Sequence, residues 1–239
     1  MAHNIMTSIK SENNYWAHYW TTKQMSVNDD PQKQVERTVN KMPIDQQKWA
    51  FTLKEIERVL NLTASDTFLD LCAGNGMIAR PFALKCRELT AVDISDVLLK
   101  NIDEDIYPTV TVIVGDARNV SLPAEAFSKG VMYAALQYFN EREAIGIFNT
   151  IYKSMKPGGL FLIGDIPDID RLFAFYNKPE WVTAYFDSVR NGIPAVGTWF
   201  KKEILVKMAK YIGFGNAEII SQQPELINSH CRFDLLLTK

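Results

Sequence analysis

The chain has 239 residues, 47% of them apolar and 23% charged, so it can fill a sizeable core and is not disordered. Lys plus Arg number 26 against 28 Asp plus Glu, a formal net charge of -2 that carries no whole-chain nucleic-acid footprint. Three cysteines (Cys72, Cys86, Cys231) cannot all pair and stand at no metal-ligand spacing, so a reduced, cytoplasmic chain without a metal centre is expected.

Residues 1–47 form a polar arm dotted with Tyr15, Trp16, Tyr19 and Trp20. Its first residues, Met-Ala-His-Asn-Ile, lack the basic start and apolar run of a secretory leader. Asp29-Asp30-Pro31 predicts a helix start, and Pro43 ends the arm. Few strongly apolar residues lie between Thr21 and Val39, so loose packing is expected there. Residues 46–60 have a helical period through Trp49, Leu53, Ile56, Val59 and Leu60.

From Thr67 the pattern alternates. Strands are predicted at 67–71, 89–92, 110–114, 130–134 and 160–164. Helices are predicted at 77–84, shortened or kinked by Pro81, at 95–102 behind a Ser95 cap, and at 141–155. Lys156-Pro157-Gly158-Gly159 reads as a sharp turn. Residues 166–199 exceed an ordinary connection and predict an aromatic lid with a helix of its own. A helix at 200–212 stops at Gly213, and strands at 217–221 and 232–237 close the chain. The link between those two is too short for a crossover, so they predict an antiparallel hairpin. No stretch nears the ~18 apolar residues of a membrane span. The expected fold is α/β: a doubly wound, mostly parallel seven-stranded sheet with helices on both faces. The arm is one unit and residues 48–239 the other, with the lid inserted at 166–199.

In such a sheet ligands bind beyond the carboxyl ends of the strands. The first strand ends in Asp70-Leu71-Cys72-Ala73-Gly74-Asn75-Gly76, whose small residues let a ligand approach the backbone. Free amides at the following helix start suit a carboxylate or phosphate. Asp93 ends the second strand and can accept both hydroxyls of a ribose; the plainer alternative is that it caps the next turn. Gly74 to Ala79 also fits the dinucleotide fingerprint G-x-G-x-x-A. Against a nicotinamide cofactor stand the acid at the mouth of the loop, the long segment before it, and the closing hairpin.

Phe68 to Gly76 resembles the first motif, D-x-G-x-G-x-G, of class I S-adenosylmethionine-dependent methyltransferases, with Cys72 in place of the first glycine. Gly115-Asp116-Ala117, Leu136-Gln137-Tyr138 and Met155 to Ile163 resemble later motifs of that family, in order. The resemblance implies S-adenosylmethionine as cofactor. It implies Asp70 on the donor's ammonium and amides of Ala73, Gly74, Asn75 and Gly76 on its carboxylate. Asp93 would then hold the ribose, and Ile94, Asp116 and Ala117 the adenine. Leu136, Gln137 and Cys72 would border the donor.

On the acceptor side, Tyr15, Trp16, Tyr19 and Trp20 of the arm and Tyr176, Trp181, Tyr185 and Trp199 of the lid are candidates; the bland alternative is that they pack their own small cores. Tyr138 and Gln137 should border the transferred methyl, Asp165 should face the site against either acceptor or donor, and His18 is either a general base or a surface residue. A small-molecule acceptor methylated at nitrogen or oxygen is expected, with neither nucleic acid nor membrane as partner. A protein or RNA methyltransferase, a silent donor-binding partner protein and an oxidoreductase are the rivals.

Overall fold

A computed structural model describes residues 15–239 except 25, 27, 28, 40, 103, 104 and 193–195. The leader-like question at the N-terminus lies outside those residues. The arm contains α1 (Tyr15–Thr22), α2 (Pro31–Gln34), β1 (Thr38–Val39) and β2 (Met42–Pro43). Asp30 caps α2 with its carboxylate on the Gln32 and Lys33 amides, and Pro31 opens the helix. Next come α3 (Gln46–Leu60), β3 (Thr67–Leu71), α4 (Ala79–Ala83), β4 (Glu88–Asp93), α5 (Asp96–Leu99), β5 (Val110–Val114) and β6 (Phe127–Tyr133). They are followed by α6 (Glu141–Ser154), β7 (Met155–Pro167), α7 (Leu172–Phe175), α8 (Pro179–Asn191), α9 (Lys202–Ile212), β8 (Asn216–Ser221) and β9 (Arg232–Thr238).

The seven-stranded sheet has the order β5-β4-β3-β6-β7-β9-β8. Pairs from β5 through β7 are parallel, and β9 pairs antiparallel with both β7 and β8. The expected doubly wound sheet and closing hairpin are therefore both present. One face packs on α6 and α9 through Ile147, Phe148, Ile151, Leu205 and Phe214. The other packs on α3 and α4 through Ile56, Leu60, Phe82 and Phe68. No helix among the described residues is long and apolar enough to cross a membrane.

Three predicted elements differ. The helix expected over 77–84 is only Ala79–Ala83, because the tight turn from Gly76 uses its first residues and Pro81 tolerates only an early helical position. The helix behind Ser95 stops at Leu99, although the Ser95 hydroxyl does accept from the Leu98 amide. The turn expected at Lys156–Gly159 is a bulge inside β7: Phe127 pairs with Met155, but Lys129 pairs with Leu160.

The arm also differs from expectation, because polar groups rather than apolar ones anchor it. Gln32 and Gln34 are buried. The Gln32 amide accepts from the Ile44 N–H at 2.7 Å and donates to the Ile44 carbonyl at 2.9 Å. That pair closes the β1–β2 turn onto α2 without a hydrophobic core. Gln32→Ala leaves both Ile44 groups buried and unpaired, at a cost of about 2 kcal/mol. Hydrogen exchange at the Ile44 amide should accelerate about thirtyfold, while exchange in β3 and β6 stays unchanged.

Candidate functional site

The carboxyl ends of β3, β4, β5 and β6 surround a cavity of about 1070 Å³, its open mouth included. Its floor is the loop after β3. Cys72, Gly74 and Gly76 all have positive φ, at 64°, 57° and 77°. Glycine adopts that conformation freely; cysteine does so only under strain. The departure of Cys72 from the glycine pattern thus leaves the turn intact and adds strain to it.

The loop's amides are mostly engaged within the protein. Ala73 N–H donates to the Val92 carbonyl at 2.9 Å, Gly76 N–H to the Ala73 carbonyl at 3.0 Å, and Gly74 N–H to Asp93 Oδ2 at 2.8 Å. Three of the four amides expected to receive a carboxylate are therefore taken. Asn75, 1% exposed, donates its side-chain amide to the Pro31 carbonyl at 2.8 Å and Gln34 Oε1 at 2.7 Å. Val35 lies against Gly74, where a Cβ would come within 3.0 Å of it. The arm is pinned to the loop from above.

Three acids stand at successive strand ends, and they differ. Asp93 accepts from Gly74 N–H and, through Oδ1, from Ser95 N–H at 2.8 Å. It caps the turn and faces the cavity at once, with about two further lone-pair sites left over. Asp116 is gripped by Arg118, whose guanidinium also reaches Glu143 at 2.6 Å, and this lowers the Asp116 pKa despite burial. Asp70 is 2% exposed and its Oδ2 has no partner. Burial, and then the neighbouring Asp93 charge, push its pKa up to about 8.

Ile94 and Ala117 line the cavity as expected, and Phe139 joins them. Leu136 and Gln137 do not. Leu136 is buried in the core under α6. The Gln137 side chain accepts from Arg232, and its carbonyl accepts from the Thr198 amide at 2.8 Å. The 3₁₀ turn over Leu136–Tyr138 points these two away and leaves Tyr138 at the cavity wall.

The two lids behave differently. Trp16 and Trp20 of α1 reach the cavity, with ring centroids 4.7 Å and 5.4 Å from that of Tyr138. Tyr15 and Tyr19 sit on the same helix but outside the lining; the Tyr19 hydroxyl donates to Glu36. His18 is exposed on the outer side of α1 and is not at the site, since the helical period gives the inner face to Trp16 and Trp20. In the other lid, Tyr176, Tyr185 and Trp199 cluster with one another, and Trp181 is 40% exposed. None of the four lines the cavity: three pack into their own small cluster, and Trp181 faces outward. Asp165 is likewise absent from the lining. It holds a left-handed bulge (φ 59°) where its amide donates to Asp234 and its carbonyl accepts from Arg232.

Several lining residues had no signal in any motif, among them Val35, Arg37, Trp49, Arg118 and Tyr133. Tyr133 is placed by its neighbour, since a Cβ at Gly164 would overlap its ring. Glycine opposite a strand-ending aromatic was the readable clue. Arg37 and Val35 belong to a polar segment with no periodicity, and only the fold brings them here.

Residues 68–159 match the methyltransferase domain family. The chain is 30% identical over 114 residues to phosphoethanolamine N-methyltransferase 1 of Triticum aestivum, covering 46% of this chain and 23% of that protein. It is 25% identical over 139 residues to demethylmenaquinone methyltransferase of Paenarthrobacter aurescens, covering 58% of this chain and 51% of that one. The chain therefore spans roughly a quarter to a half of these curated relatives. An S-adenosylmethionine-dependent methyltransferase from Clostridium acetobutylicum shares the fold with a TM-score of 0.62 at 14% identity, over 85% of this chain and 96% of that one.

Two outcomes follow from the loop and its acid. At Cys72 the strained φ outweighs the usual order of glycine and alanine, so Cys72→Gly should be about 1 kcal/mol more stable than Cys72→Ala in urea denaturation. Asp70 has a folded pKa near 8 against an ordinary value of 3.8. The folded state keeps a proton that the unfolded state releases, so ligand-free stability falls as pH rises from about 4 to 8. Asp70→Asn removes that loss. Its unfolding midpoint should exceed that of the parent at pH 8 and match it at pH 4.

Proposed function

We propose that this chain, a member of the class I S-adenosylmethionine-dependent methyltransferase family, transfers a methyl group from that donor to a small organic acceptor. The observation that carries the reading is the buried, unpartnered Asp70 oxygen at the carboxyl edge of the sheet. An acid so placed wants a cation, and the donor's amino-acid end supplies an ammonium. A pyrophosphate brings no cation to such an acid, which disfavours a dinucleotide.

The rest of the cavity fits the same group. Asp93 offers its remaining lone pairs to ribose hydroxyls while holding the loop in shape. Ile94, Ala117 and Phe139 form an apolar slot for a flat ring, and Asp116 borders it with a charge already balanced by Arg118. When bound, S-adenosylmethionine supplies a methyl group activated by positively charged sulfur. The protein's share is positioning and exclusion of water. Trp16, Trp20 and Tyr138 close the far wall of the cavity and suit a small acceptor. Burial pushes the Tyr138 pKa up to about 12, so at neutral pH it donates a hydrogen bond and does not act as a base. That favours a nitrogen acceptor, which attacks with its own lone pair, over a hydroxyl. The relatives' names, phosphoethanolamine and demethylmenaquinone, likewise describe small molecules. Three unpaired cysteines support a reducing, cytoplasmic setting.

Titration calorimetry tests the donor directly. S-adenosylhomocysteine should bind with one-to-one stoichiometry and NADH should give no heat. Preference for NADH would overturn the reading. With the donor in place, a methyl-transfer screen over small amines should then show turnover that Trp16→Ala lowers at least about tenfold, with S-adenosylhomocysteine affinity held within about threefold.

A further inference from the structure

Arg37 reaches the cavity from the arm. Glu36 before it has a left-handed φ of 55°, which turns the chain inward after α2. The Arg37 guanidinium carbon lies 5.1 Å from the centroid of the Trp49 ring and 4.8 Å from that of Tyr133, and the residue is half-buried in the cavity wall. No carboxylate among the described residues lies within ion-pair distance of it. A guanidinium cannot shed its charge, so this is a standing site for an anion.

The place of that site identifies the anion. Asp70 pairs with Val131 across β3 and β6, and Tyr133 lies two residues further along β6. Side chains two apart share a face. Asp70, Tyr133 and the Arg37 stacked on it therefore occupy the same side of the sheet, under α3. Among the described residues, the cavity's one carboxylate oxygen without a partner and the Arg37 guanidinium, which hydrogen-bonds the Tyr133 side chain but has no carboxylate partner, thus flank a common space. An α-amino acid presents these two charges in reverse, an ammonium and a carboxylate on neighbouring atoms. The glycine loop is poorly placed to take the carboxylate, since its Ala73, Gly74 and Gly76 amides are spent within the protein.

Building on the donor reading above, we infer that Arg37 binds the α-carboxylate of the donor's amino-acid end while Asp70 binds its α-ammonium. The arm is then part of the donor site as well as a cover for the acceptor. Its attachment to the glycine loop through Asn75 and Val35 holds Arg37 at the correct height.

Two ligands separate this from the alternatives. S-adenosylhomocysteine carries the amino-acid end; 5′-methylthioadenosine has the same nucleoside and thioether without it. Titration calorimetry is run on the full chain, on Arg37→Met, which keeps an apolar stem against Trp49, and on Arg37→Lys. Arg37→Met should weaken S-adenosylhomocysteine about ten- to a hundredfold and leave methylthioadenosine within about twofold. Arg37→Lys should fall between, having the charge without the planar fork. Unchanged S-adenosylhomocysteine affinity would overturn the assignment and give Arg37 to an anionic group on the acceptor. Equal weakening of both ligands would overturn it too, by making Arg37 a wall residue only. If the unaltered chain binds neither ligand, the donor reading itself falls.

Discussion

The side-chain amide of Asn75 joins two parts of the chain that local sequence keeps apart. Its two hydrogen bonds, to the Pro31 carbonyl and Gln34 Oε1, run from the glycine loop to the arm. From below, Asp93 holds the same loop through the Gly74 amide. The loop needs three left-handed residues within five, a backbone that would not hold by itself. Clamped on both sides, it keeps its shape and sets the level of everything around the cavity. Asp70, Trp16, Trp20 and Arg37 are all placed relative to it.

Charge is distributed unevenly around that frame. Three strand-end acids would repel one another if all stayed bare. Asp116 is balanced by Arg118, while Asp93 is tied by backbone amides and keeps a charge that acts on Asp70. At Asp70, burial and then its neighbour's field outweigh a backbone hydrogen bond from Ala79, and it holds its proton until a cation arrives. The cost of burying an unpaired group is high, and a site that bears it without a ligand is poised for one. The same reasoning applies to Arg37, where two aromatic faces support the charge without cancelling it.

The two aromatic segments illustrate how alike sequences can take different work. Both are rich in Trp and Tyr. In the stretch after β7, rings meet within the segment, between α7, α8 and Trp199, and satisfy each other locally. In α1 the rings also meet one another, but Trp16 and Trp20 in addition pack on Tyr138 at the cavity wall. Contact between distant elements, not composition, decides which aromatics can meet an acceptor.

The sequence by itself determined the sheet, its hairpin, the strand-end acids and the strained glycine loop. These rest on periodicity and on turn chemistry within a few residues, which local sequence encodes. It also marked Cys72 as an odd member of the loop, and the left-handed φ there shows why the position favours glycine. Only the tertiary structure decided that His18 faces outward, that Asp165 and Gln137 tie the bulge and turn beside β9, and that Leu136 belongs to the core. It alone brought Arg37 and Val35 to the cavity, through Gln32 and Asn75. Those contacts join residues 12 to 44 positions apart by single side-chain amides, and no period or composition in the chain records them.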